Sequence, residues 1–477
     1  MPQLVVHGHF YQPPRVDPFT GSMPLDPTAA PARDWNERIA ADCYRPNADA
    51  GNLAAISWDV GPTLAGWLAS GDPVAYRGFL DGDAGQHGMA QPFHHAILPL
   101  ASAADRRTEI RWGLRDFELR FGRRPAGMWL PETAVDRGTL RTLVDEGVAY
   151  TILAPWQLEG DIDTRRPVRV DLGDGRSILA AVYDGLLSAA VSFEPGATVD
   201  ADWFVRERVL PRFQEAPDDL DGADPLVLIA TDGELYGHHQ PMREHFLARL
   251  VGRTAPGDRP YVSPALGAAI QGAADRGVPT VRLRERTSWS CHHGVARWAG
   301  ACPCVPDGSW KAPLRIALER LAGGVDAISE RLVRRLPGRL DAHVVRDDYV
   351  DVVSGRISAR DFAAERLGAS ATDADRRTFM AVMEAQRWRL AMFASCAWFW
   401  DHPDRPETHG ALRSATRAAR LIDEVGGTSL EDRLDDDLAH IQDPDRRDGI
   451  TLLDAALAAI GEAPLTTGRT GRLPQSR

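Results

Sequence analysis

The chain reads as an α/β protein built on a parallel barrel, with a helical domain after it. Two observations predict this. From residue 1 to about 285, short apolar strands alternate with helix-length amphipathic segments, and that repetition implies parallel pairing through right-handed crossovers. Beyond about residue 309 strand candidates become scarce, and stretches such as APLRIALERLAGGVDAISERLVRRL and RTFMAVMEAQRWRLAMFASCAWFW read as packed helices. An open doubly wound sheet shares the first pattern, and the barrel is the preferred reading. The expected division is a barrel domain over 1–285, a helical domain over 286–462 and a frayed tail over 463–477.

LVVHGHF supplies the first strand and VGPTLAGWLAS an early helix. Ile110, Leu114, Phe117 and Phe121 follow at spacings that place them on one helical face. RRPAGMWLPE then punctuates the entry to another strand with a Pro and a Gly. Asp136 is placed to cap a helix that turns Leu140, Leu143 and Val144 inward and stops at Gly147, directly before the strand AYTILAP. The run PLVLI ends in ATDGELYGHH, so a buried strand delivers two carboxylates and two imidazoles to its C-terminal end. In α/β proteins that edge is where ligands bind.

Across 477 residues the formal charge is −12, which opposes binding to nucleic acid or to an anionic membrane and suits a neutral substrate. No apolar run of about 18 residues occurs, so no membrane span is expected. The opening MPQLVVHGHF lacks a basic segment followed by an apolar one, and the five cysteines form no even framework. Both point to a reducing cytoplasm. Trp is generous at 13 copies, and indole rings stack well on the apolar faces of sugars.

Four stretches carry chemistry. In HGHFYQPP, His7 and His9 are two apart on a strand and so share a face. QPFHHAILPL holds His94 and His95, a pair that gains meaning only beside the others. In GMWLPETAVD, Glu132 sits where the strand around Trp129 breaks at Pro131, although an acid in a first helical turn is also favoured by the helix dipole. In DGELYGHH an N-cap role accounts for one acid but not for Asp232, Glu234, His238 and His239 together. Two strand-end carboxylates, Glu132 and Asp232, are what acetal hydrolysis needs: one to attack or stabilise the anomeric carbon, the other to deliver a proton to the leaving oxygen.

H-x-H on the first strand, a His before ILPL, WLPE and DGELYGHH together resemble glycoside hydrolase family 57, in motif order over roughly residues 3 to 240. The resemblance implies an incomplete (β/α)7 TIM-like barrel followed by a helical region. It also implies a retaining enzyme acting on α-glucans, whether as an amylase-like hydrolase, a branching enzyme or a 4-α-glucanotransferase. Carried onto matching positions, Glu132 is the nucleophile, Asp232 the general acid/base, and His7, His9, His95, Trp129, Glu234 and His238 line the sugar subsite. A retaining pair stands about 5 to 5.5 Å apart. Phe10 and Tyr11 intervene before Gln12 and Pro13, where family members have Gln-Pro or Leu-Pro directly after the second His. The family's last motif is best matched by SWSCHHGVARW, residues 288–298. With SCAWFWDHP, this resembles a branch bearing an extra C-terminal domain of unknown function. Trp156, Trp289, Trp298 and Trp310 are candidates to shape an acceptor site.

Two other classes compete. A metal-dependent hydrolase or deacetylase would use His7 and His9 with Asp232 or His95, but no self-sufficient ligand set supports it, so no metal or cofactor is assigned. A non-catalytic carbohydrate-binding protein would not need both carboxylates. Cys291, Cys302 and Cys304 include a C-x-C, poor spacing for a zinc ribbon, and read as reduced structural thiols.

Overall fold

A computed structural model describes residues 1–214, 224–252 and 259–458; the expected tail at 463–477 lies outside them. The chain forms two compact units. The first comprises Met1–Gln12, Leu25–Phe93 and Gly113–His292; the second holds Pro13–Pro24, His94–Trp112 and the described residues from His293 onward. The division therefore falls at 292/293 rather than 285/286. The two short segments that join the second unit carry no shift in composition that could announce it.

In the first unit β1 (Gln3–Phe10), β2 (Ser57–Val60) and β3 (Gly88–Met89) lie parallel. Ala90 bridges to Met128 and Gly127 to Tyr150, so residues 127–129 stand as a strand between β3 and β4 (Tyr150–Leu153). β5 (Val168–Asp171) turns back antiparallel on β6 (Ser177–Val182), which pairs parallel with β4. β7 (Leu226–Asp232) pairs parallel with β1, and the short β8 (Thr280–Val281) flanks β5. Past the end of β6, Asp184 N donates to Leu228 O at 2.7 Å, linking it to β7. The ring runs β1, β2, β3, 127–129, β4, β6, β7: seven parallel positions, the expected incomplete (β/α)7 barrel.

Strand alternation sorts the core. Leu4 and Val6 on β1, with Val227 and Ile229 on β7, pack outward under the helices alongside Phe10, Trp58 and Phe79. Val5, Leu226, Leu228 and Ala230 pack in the lumen with Ile152, Ala181 and Trp129. The local expectations hold for several elements. Asp136 caps the helix Arg137–Asp145 by accepting from Thr139 N, and Gly147 follows at φ 78°, a left-handed turn that favours glycine. The helix Ala103–Phe121 carries Ile110, Leu114 and Phe117 as buried residues.

The second unit is helical over its described residues. Its long members are Lys311–Val333, Asp373–Ala391 and Pro406–Gly426. Buried charge ties it together: Asp105 lies 3.0 Å from Arg346 and 2.6 Å from Arg389, whose other amine lies 2.6 Å from Asp326.

Candidate active site

The same alternation that puts Val5 in the lumen puts His7 and His9 there, and β7 likewise aims Asp232 inward after Leu226, Leu228 and Ala230. Register completes the placement, because His9 lies opposite Asp59 on β2 and opposite Asp232 on β7. Asp59 holds both imidazoles: His7 Nε2 is 3.0 Å from Oδ1 and His9 Nδ1 is 2.9 Å from Oδ2, with His7 Nδ1 3.1 Å from Ser57 Oγ. Trp129 stacks against the two rings at 4.9 and 5.0 Å, and Trp289 meets Trp129 edge-on at 5.0 Å.

Glu132 follows the 127–129 strand in a left-handed conformation, φ 57°, with Thr133 at φ 46°. Two consecutive non-glycine residues in that region store backbone strain of the kind that clusters at functional sites. The surroundings hold the strained turn in place. Trp289 N donates to Glu132 O at 3.0 Å, and on the side chain Trp289 Nε1 donates to Oε2 at 3.2 Å alongside a short bond from Ser290 Oγ.

Asp232 is exposed at the end of β7, with His9, His239 and Asp59 close enough to act on its carboxyl. Burial raises its pKa against the pull of His9 and His239. Glu132 is also raised by burial, opposed by the Ser290 hydrogen bond and reinforced by the charge of Asp232, so the two carboxyls sense one another. Burial works against charge on His9, but Asp59, Asp232 and Glu234 outweigh it and lift the imidazole to about 9. His9 is therefore a cation at neutral pH, set among three acids. His7 goes the other way, lowered by burial.

Glu234 lies in the turn after β7. Its Oε1 accepts from Tyr44 Oη at 2.7 Å and from Gln12 Nε2 at 3.3 Å, and burial with the nearby Asp232 moves its carboxyl to about 7. Although shifted along the chain by Phe10 and Tyr11, Gln12 thus still reaches this acid. Gly233 and Gly237 allow the turn to seat. A Cβ on Gly233 would sit 2.3 Å from the Phe10 ring, and one on Gly237, at φ 145°, would sit 2.4 Å from Asp42 O. His238 Nδ1 lies 3.0 Å from Asp42 Oδ2, with its ring edge-on to Trp35.

The first unit therefore gathers His7, His9, Trp129, Glu132, Asp232, Glu234, His238 and Trp289 on neighbouring strand ends and the turns after them. His95 belongs to the second unit, where its Nδ1 lies 2.6 Å from Ser395 Oγ and its backbone sits at φ 59°. The sugar-facing expectation for Trp298 is corrected: it is fully buried in the second unit against Phe399 and has no face to offer. Trp310 is likewise buried, stacked on Trp398 with Nε1 donating to Asp401 O. Trp156 keeps an exposed face and meets Tyr183 edge-on. Sequence reasoning missed Asp59, Tyr44 and Ser290. Asp59 carried one signal, an acid inside the apolar strand SWDV.

The glycosyl hydrolase family 57 signature matches residues 89–255, and a domain of unknown function, DUF3536, matches 307–449. Two Mycobacterium tuberculosis proteins described as "Probable 1,4-alpha-glucan branching enzyme" are 32% identical to this chain over 102 residues, 21% of it. The chain spans about a fifth of the length of these curated relatives, 19%. Among solved structures, an exo-type maltose-forming amylase from Pyrococcus sp. ST04 matches with TM-score 0.71 at 15% identity, over 96% of this chain and 88% of that one. A family 57 branching enzyme from Thermococcus kodakaraensis matches with TM-score 0.60 at 16% identity, over 96% and 94%. At such identities these structures attest the fold. The signatures mark a segment similar to glycosyl hydrolase family 57 over 89–255, joined in the same chain to a DUF3536 segment over 307–449.

Proposed function

We propose that the protein is a retaining glycosidase or transglycosidase of α-glucans, with Glu132 as nucleophile and Asp232 as general acid/base. The observation that carries this reading is a pair of strand-end carboxyls close enough for the charge of Asp232 to act on Glu132, yet different in support. Glu132 accepts hydrogen bonds from Trp289 and Ser290, which favour its charged form, while burial favours the proton on Asp232. In the first step Glu132 bonds to the anomeric carbon as the glycosidic C–O bond breaks and Asp232 protonates the departing oxygen. In the second, Asp232 takes a proton from the incoming water or sugar hydroxyl, whose oxygen displaces Glu132. The cationic His9 lies among these acids and offsets their accumulated charge.

Hydrolysis or transfer turns on which acceptor arrives. The half-buried Trp289 and exposed Trp156 offer aromatic surface for a second sugar, and the likeness to proteins described as branching enzymes supports transfer. The deacetylase reading is disfavoured because His7 commits both ring nitrogens, to Ser57 and Asp59. The test is incubation of wild type, Glu132→Gln and Asp232→Asn with maltooligosaccharides and glycogen, following product size and linkage. Asp232→Asn is expected to lose about 10²–10⁴-fold in rate, and Glu132→Gln at least as much. Longer or branched products from wild type mark a transferase and shorter ones a hydrolase; unchanged glucans would remove the substrate assignment.

A further inference from the structure

Cys291, His293, Cys302 and Cys304 bring one ligand atom each to within 4.8 Å of all the others. His293 Nδ1 lies 3.5 Å from Cys302 Sγ and 3.3 Å from Cys304 Sγ. A tetrahedral zinc with Zn–S of about 2.3 Å and Zn–N of about 2.0 Å sets its sulfur and nitrogen ligands about 3.6 Å apart, so the observed spacings lie close to those of a filled site. Local chain geometry produces the cluster. Val305 N donates to Cys302 O at 2.7 Å, closing a tight turn over Cys302-Pro303-Cys304 that presents both thiols on one side. Gly294, at φ 70°, turns the chain immediately after His293. The segment otherwise has little regular structure, a four-residue helix at Ala296–Ala299 and a single 3-10 turn at Gly308–Trp310. All five cysteines are outside disulfides, so three sulfurs meet here as thiols.

From this we infer that the segment Cys291–Cys304 is a structural zinc site of the Cys3His type. Cys291 and Cys302 are buried, whereas His293 and Cys304 are exposed, which gives the ion a route in. Four protein ligands leave no open position, so the ion's role is to fasten the C-P-C turn to the 291–293 segment rather than to act on substrate. Binding converts the three thiols to thiolates and releases their protons, so affinity rises with pH. C-x-C spacing alone argued against zinc; His293, two residues from Cys291, completes the set.

The test uses the full chain expressed without a histidine tag in zinc-supplemented medium. Elemental analysis should find about one zinc per chain, and X-ray absorption at the zinc edge a first shell of three sulfurs and one nitrogen. Cys304→Ser removes an exposed ligand and should lower zinc content about tenfold or more while the far-ultraviolet circular dichroism persists. Should that variant fail to fold, cobalt titration of chelator-treated wild type gives the same answer through a thiolate-to-cobalt charge-transfer band. Wild type with no stoichiometric metal, or with an oxygen- and nitrogen-only shell marking adventitious binding, would overturn the site.

Discussion

Asp59 pairs from a fully buried position with two imidazoles and helps keep His9 cationic. Breaking a buried pair by removing one partner costs about 3–5 kcal/mol, so Asp59→Asn is expected to lose stability in that range in urea unfolding and to lose activity as well. Glu234 yields a pH prediction. Its carboxyl titrates near 7 in the folded chain against 4.5 for an unperturbed Glu. The folded state therefore holds this proton more tightly, and the stability it contributes is full below about 4.5 and lost as pH rises through about 7. His9, raised from 6.5 to about 9, extends the same trend upward. Calorimetry should show Tm falling across pH 5 to 7, and Glu234→Gln should flatten that fall. Trp298 serves as a control on the corrected assignment. Trp298→Ala should cost about 3–5 kcal/mol as a core truncation, while a milder Trp298→Phe leaves KM unchanged.

Strands and turns explain why so much of the site was legible and why part was not. His7, His9 and Asp232 could be aimed from period-two alternation on β1 and β7, because each strand has one face under helices and one in the lumen. Glu132 could be placed by the Pro that ends its strand. Asp59 escaped because β2 is four residues long and wholly buried, leaving no alternation to read. Ser290 and Tyr44 escaped because their partners, Glu132 and Glu234, are 158 and 190 residues away in sequence. Trp298 misled because an indole's role depends on exposure, which no local pattern reveals. The turn after β7 makes its own prediction. Cys43 and Asn47 tie to the backbone at Gly233 and Tyr236, and Gly237 meets Asp42 O with no room for a Cβ. Gly237→Ala should therefore shift the turn, destabilise the protein by more than about 1 kcal/mol and reduce turnover through Glu234 and His238.

The barrel as a whole turns a chain of net charge −12 into a mouth where acids and the imidazolium of His9 stand together, a charge balance that suits the neutral substrate proposed above better than an anion. Seven parallel positions suffice to bring Glu132 and Asp232, 100 positions apart in sequence, to one end of the ring, since every strand delivers its C-terminus to the same face. The reading as a retaining enzyme rests on a covalent bond forming at Glu132, and that bond is open to direct detection. Asp232→Asn would be treated with an α-glucosyl fluoride, whose leaving group needs no proton, then digested and mapped by mass spectrometry. The account predicts a hexosyl adduct on the peptide containing Glu132, absent from the double variant with Glu132→Gln. An adduct on another residue, or turnover of the fluoride with inversion and no adduct, would contradict it.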